Sequence, residues 1–186
     1  CDFTWSGNTF TTILNAAPEL KDQVILCISP SKTFNLAGLQ IANNIIPNPA
    51  LRNRFLEMKE AAGYDESNAM AIVACMAAYQ DGGEWYQQLK AYLEGNIAFM
   101  KQFIHEEMPG VDLISPEATY LLWLDFRALG LDDAEIERRM LWDAKLWLNN
   151  GNMFGPGGVG FQRLNIACPR ATLMDAMERM RSAFCR

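Results

Sequence analysis

Apolar positions in this chain fall into short unbroken runs and longer helical stripes. Residues 24–28, Val-Ile-Leu-Cys-Ile, are continuously apolar and end just before Pro30, which predicts a fully buried strand. Residues 39–46 are apolar and rich in β-formers, so they are expected to return to the same sheet and stop at Pro47. Asn48-Pro49 pairs a capping side chain with a first-turn proline and predicts a helix carrying Leu51, Phe55 and Met58 on one face. Ser67 is expected to open another. Its run 69–79 is apolar on every side, which predicts a helix buried all round. A strand end at 1–5 and a helical turn at 17–20 come before these elements.

Asp81-Gly82-Gly83 is the clearest break in the pattern. A long helix is expected over 84–107, with Leu89, Leu93, Ile97, Met100 and Ile104 at helical spacing. Strands follow at 111–114, 119–126 and 146–148. Asp132-Asp133 starts a helix with acids in its first turn, where the dipole favours them, and 171–184 shows a one-face stripe of Leu173, Met177, Met180 and Phe184. There is no internal repeat.

Composition narrows the function. Half of the 186 residues are hydrophobic, and no run is long enough for a membrane span. The net charge of −6 leaves no basic patch for nucleic acid. Cys1, Cys27, Cys75, Cys168 and Cys185 lie in apolar contexts without metal-like spacing and read as reduced core cysteines of a cytosolic protein. The methionines and tryptophans read as packing. One histidine, His105, makes a zinc site improbable, and no targeting segment is visible at the start.

Candidate chemistry centres on Lys32 in Ser29-Pro30-Ser31-Lys32-Thr33-Phe34-Asn35-Leu36-Ala37-Gly38. An amine just past the carboxyl end of a core strand suits Schiff-base chemistry, and hydroxyls at Ser29 and Ser31 suit a phosphate. A lysine on a solvated loop beside turn-forming serines explains the spacing equally well. Residues 155–160 satisfy GxGxxG literally but lead into a strand-like segment rather than a helix, against a dinucleotide fold. Arg163, in the predicted strand 161–167, shares a face with Phe161 and Asn165 and could fork a carboxylate; pairing with a structural acid is the other reading.

The Ser-x-Ser-Lys-Thr-Phe-Asn-x-Ala-Gly stretch resembles the lysine segment of fold-type I pyridoxal-phosphate enzymes. It is most similar to the MalY/PatB-type cystathionine β-lyase branch of the class I/II aminotransferases. Residues 152–169, Asn-Met-Phe-Gly-Pro-Gly-Gly-Val-Gly-Phe-Gln-Arg-Leu-Asn-Ile-Ala-Cys-Pro, resemble that branch's closing glycine loop and carboxylate arginine. The resemblance covers the whole chain and implies an α/β fold. Residues 1–83 would be the C-terminal part of the large cofactor-binding domain of the fold-type I transferases. Residues 84–186 would be the linking helix and the small α+β C-terminal domain.

It also implies that Lys32 holds pyridoxal 5′-phosphate and moves the Cα proton, that Ser29 and Ser31 bind its phosphate, and that Arg163 anchors the substrate carboxylate. The implied activity is C–S β-elimination from cysteine S-conjugates, with transamination as the alternative and a non-catalytic fragment as the third reading. A small amino-acid substrate, a homodimer and a cytoplasmic location go with it. The pyridine-nitrogen acid and the ring-stacking aromatic would lie outside this sequence, so the isolated chain is expected to be inactive. One departure is Gln40, where the aspartate-aminotransferase branch carries a phosphate-binding arginine.

Overall fold

The computed structural model describes residues 1–64 and 66–185. Two compact units emerge, one of Asp2 with Thr9–Gln88 and one of Cys1, Phe3–Asn8 and Leu89–Arg186.

The first unit starts with α1 (Ile13–Ala16) and a 3₁₀ turn, Pro18–Gln23, at the expected helical turn. Strand β1 covers only Leu26–Ile28 and pairs antiparallel with β2 (Asn43–Ile45), joining Leu26 to Ile45. The expectation of a fully buried strand fails, since Ile25 is 41% exposed and Cys27 lies at the surface. An apolar run is buried on both faces only where other layers cover it, and among the described residues this is a two-stranded ribbon. The return segment is also shorter than expected. Ala37–Leu39 makes a 3₁₀ turn, and Gln40, with φ of 54°, takes the left-handed conformation that ends it.

Helix α2 (Pro49–Ala61) starts as expected: Asn48 Oδ1 accepts from the N–H groups of Ala50 at 2.8 Å and Leu51 at 3.3 Å. Leu51 and Phe55 are half-buried, but Met58 is 70% exposed and Lys59 takes the next inward position. Helix α3 (Ala69–Asp81) is capped by Asn68 rather than Ser67. It buries only Ala71 and Cys75, four residues apart, while Ile72, Val73 and Met76 stay exposed. All-round burial is thus corrected, because periodicity reports how apolar a face is and not whether a neighbour covers it.

Helix α4 (Gly83–Glu107) begins in this unit and continues as the first helix of the second. There β3 (Asp112–Leu113), β4 (Leu121–Asp125), β5 (Asn149–Asn150) and β6 (Phe161–Asn165) form an antiparallel sheet in the order β3-β4-β6-β5. Residues 1–5 add only a bridge, Thr4 to Ala118. Helix α5 (Asp133–Arg138) follows its Asp132 cap and passes into a π-helical turn, Arg139–Asp143. The strand expected at 146–148 is replaced by β5, since Lys145 with φ of 57° turns the chain and leaves Trp147 92% exposed. Helix α6 (Arg170–Phe184) closes the unit and buries the expected stripe of Leu173, Met177, Met180 and Phe184.

The core of this unit lies between the sheet and the helices. Leu122, Leu124 and Leu164 point inward from the strands, with Leu93, Ile97 and Met100 on α4 also buried. Asn96 is buried among them and satisfied: its Nδ2 donates to the carbonyls of Ile166 and Cys168, and its Oδ1 accepts from Arg170 Nε at 2.7 Å. The sequence pattern had no signal for it. The cysteines are all free, but only Cys75 is buried, and Cys1 and Cys27 are exposed rather than core. Likewise the tryptophans are not all packing, for Trp5 is buried while Trp85 and Trp142 are exposed.

Candidate functional site

Lys32 sits in a tight turn over residues 30–35, immediately after β1. The turn closes on itself: Phe34 N–H donates to the Pro30 carbonyl and Leu36 N–H to the Ser31 carbonyl, both at 2.9 Å. Ser29 Oγ donates to the Ile41 carbonyl at 2.6 Å and accepts from Ser31 N–H at 3.1 Å. Its hydroxyl therefore holds the two sides of the turn together, as turn-forming serines do. The side chains after the lysine anchor the turn inward. Thr33 is buried and donates to the Asp2 carboxylate. Phe34 stacks on Trp85 at 5.6 Å and meets Tyr79 edge-on. A Cβ at Gly82 would lie 2.4 Å from the Ala78 carbonyl oxygen and 2.5 Å from the Phe34 ring, so both require glycine there.

With Thr33 and Phe34 pinned, Lys32 between Ser31 and Thr33 is left exposed. The inward-anchored Thr33 and Phe34, with Asp2, Tyr79 and Tyr86, line a hollow of about 220 Å³ that Lys32 does not line. The Tyr86 phenol donates to the Asp2 carbonyl, and burial followed by the Asp2 charge raises its pKa above the ordinary phenol value.

Arg163 occupies the middle of β6 in the second unit, flanked in register by Trp123 on β4 and Asn149 on β5. Its Nη2 donates to Asn149 Oδ1 at 2.8 Å. The guanidinium lies over the Phe154 ring, 4.5 Å from its centroid. Its Nε is buried without a hydrogen-bond partner among the described residues, and no carboxylate among them pairs with it. The structural-acid alternative is thus not what this structure shows. Trp123 meets both Phe154 and Phe161 edge-on, at 5.3 and 6.1 Å. Ile114, Trp123, Phe154, Gly157, Gly158 and Phe161 line an open groove of about 440 Å³ beside the arginine.

Residues 155–160 pass through the 3₁₀ turn Pro156–Gly158 into β6, so no helix N-terminus follows these glycines. Among the described residues no cluster of acids, cysteines and histidine could hold a metal.

The turn brings Ser29, Ser31 and Lys32 together, and β6 carries Arg163 separately. Trp123, Asn149 and Phe154 were not anticipated. The first two follow once strand register is known, and Phe154 arrives through the path of the loop.

The family model for aminotransferase class I and II matches residues 1–180. Cystathionine β-lyase PatB of Bacillus subtilis is 41% identical over 98% of this chain and 47% of its own length. Protein MalY of Escherichia coli is 35% identical over 80% of this chain and 38% of its own. Among solved structures, cystalysin of Treponema denticola, which contains a pyridoxal 5′-phosphate cofactor, superposes with a TM-score of 0.92 at 33% identity, covering 98% of this chain and 46% of that one. The pyridoxal-phosphate-bound C–S lyase of Staphylococcus hominis gives 0.88 at 29%, covering all of this chain and 47% of that one. The chain spans less than half the length of these curated relatives, 47% of one and 38% of the other. With the family model matching residues 1–180, this chain belongs to the aminotransferase class I and II family.

Proposed function

We propose that the intact protein is a pyridoxal-phosphate-dependent C–S β-lyase that cleaves cysteine S-conjugates of the cystathionine type to thiol, pyruvate and ammonia. The observation that carries this reading is the likeness to a cystathionine β-lyase along 98% of the chain. The donor set fits the cofactor. Lys32 offers an exposed primary amine, complementary to an aldehyde, and Ser31 a neighbouring hydroxyl, complementary to phosphate. Ser29 would reach the phosphate by exchanging its bond to Ile41.

When bound, the cofactor supplies an electron sink for the pair left at the substrate Cα. Lys32 would accept the Cα proton at Nζ, and the Cβ–S bond would then break with its electrons leaving on sulfur. Water converts the remaining three-carbon unit to pyruvate and ammonia. Arg163 would hold the α-carboxylate through its free N–H groups, with Asn149 and Phe154 fixing the plane of the guanidinium and so the direction of the Cα–H bond.

We further propose that residues 1–83 are the C-terminal part of the cofactor domain and 84–186 the linking helix and small domain, and that the intact protein is a cytoplasmic homodimer acting on a small amino acid. No helix among the described residues is long and apolar enough to cross a membrane. Transamination is the less favoured outcome: the residue at the position of the aspartate-aminotransferase arginine is Gln40, exposed and in a left-handed conformation.

The test is borohydride reduction of the full-length protein loaded with pyridoxal phosphate, followed by peptide mapping. The adduct is expected on Lys32, and Lys32→Ala should abolish both the adduct and pyruvate release from L-cystathionine. A Lys32→Ala variant that keeps an adduct on another lysine together with full turnover would end the proposal.

A further inference from the structure

Gly160 is buried and takes φ of 81°, and a buried backbone N–H calls for an acceptor. Asp133, in the first turn of α5, supplies it: Oδ1 accepts from Gly160 N–H at 2.7 Å. The other oxygen of the same carboxylate accepts from Asn152 Nδ2 at 3.1 Å. A single side chain therefore holds both ends of the loop 152–160. Within the loop, Gly155 N–H donates to the Asn152 carbonyl and Gly158 N–H to the Gly155 carbonyl. Gly158 abuts Gly151 so closely that a Cβ on it would lie 2.0 Å from the Gly151 oxygen. This compact loop lays Phe154 on the Arg163 guanidinium and against the edge of Trp123.

Resting on the reading of Arg163 as the carboxylate anchor, we infer that Asp133 is the positioning residue for that anchor: its carboxylate brackets the loop that sets Phe154 on Arg163. A guanidinium with one face against a ring and one nitrogen bonded to Asn149 has few orientations left, so it meets an incoming carboxylate already aimed. Removing the bracket leaves the buried Gly160 N–H without its acceptor and frees Asn152. Phe154 then loses its fixed place, and Arg163 is held by Asn149 alone. Cofactor binding, which draws on Lys32 and its turn, is not part of this linkage.

The experiment uses the full-length holoenzyme. It reads KM and kcat for L-cystathionine, the dissociation constant of L-alanine from the visible band, and the cofactor's own affinity. Asp133→Ala should raise KM and weaken L-alanine about tenfold, with kcat and cofactor affinity little changed. Asp133→Asn should stay close to wild type, because its oxygen can still accept from Gly160 and the Asn152 amide can turn over to accept from its Nδ2. Asn152→Ala, at an exposed position, should raise KM about threefold and carries the test if Asp133→Ala fails to fold. The double variant Asp133→Ala/Arg163→Ala should bind L-alanine no worse than Arg163→Ala alone, because Asp133 acts through Arg163. If Arg163→Ala leaves substrate affinity unchanged, the anchor reading falls and this inference with it. If Arg163→Ala weakens substrate but neither Asn152→Ala nor a folded Asp133→Ala does, the role of Asp133 alone is wrong.

Discussion

Replacing Arg163 with alanine in the full-length enzyme separates substrate recognition from everything else this side chain does. Against the substrate, the change removes a charge-assisted hydrogen-bonded pair worth roughly 1.5–3 kcal/mol, or about ten- to a hundredfold in affinity. Against the protein, it removes the 2.8 Å bond to Asn149 and the stack on Phe154. These are worth about 1 kcal/mol and about 0.5–1 kcal/mol at half-exposed positions. It also removes a buried Nε that has no partner among the described residues, which offsets part of that loss. The net cost to stability is therefore expected to be small beside the cost to binding. Arg163→Lys keeps the charge but lacks the fork and the flat face, and should fall between wild type and alanine. The assay is titration of the holoenzyme with L-alanine followed at the visible band, run beside cofactor affinity and thermal melting. Unchanged L-alanine affinity, or cofactor affinity falling in parallel with it, would refute the reasoning and make Arg163 a structural residue.

Two further expectations concern stability. Asn96→Leu should destabilise the second unit by about 2–4 kcal/mol, because the carbonyls of Ile166 and Cys168 and the Arg170 Nε lose a buried partner at once; a denaturant midpoint within experimental error of wild type would contradict this. Glu135 is held down to about 2, first by its hydrogen bond to Arg138 and then by that to Arg139, from an ordinary value of 4.5. A depressed carboxylate stabilises the fold above its unfolded pKa and loses that contribution as pH falls through its folded one. The denaturant midpoint of wild type should therefore drop between about pH 5 and pH 2 more steeply than that of Glu135→Gln, and parallel pH profiles would show that the pair contributes nothing.

What the sequence by itself determined about this protein is local, or carried by motif. Asn48-Pro49 announces its helix because the capping oxygen and the proline ring act on the next few backbone groups and need no partner elsewhere. The α6 stripe was legible for a related reason: Leu173, Met177, Met180 and Phe184 share a face by helical geometry alone. Lys32, Ser29 and Ser31 could be singled out because they are neighbours in one turn, and Arg163 because strand alternation places it opposite the core face.

Only tertiary structure decided which apolar surfaces are covered. The runs at 24–28 and 69–79 carry the composition of interior elements, yet Ile25, Ile72 and Val73 are exposed, since burial belongs to the neighbour as much as to the residue. The surroundings of Arg163 were equally out of reach. Trp123 and Asn149 reach it through strand pairing, across gaps of 40 and 14 residues in the chain. Phe154 and Asp133 reach it through a loop whose path depends on two glycine backbones in contact and on one carboxylate shared between its ends. Such contacts join side chains whose spacing follows no period, so no pattern along the chain encodes them; they exist only once β4, β5, β6 and α5 have packed.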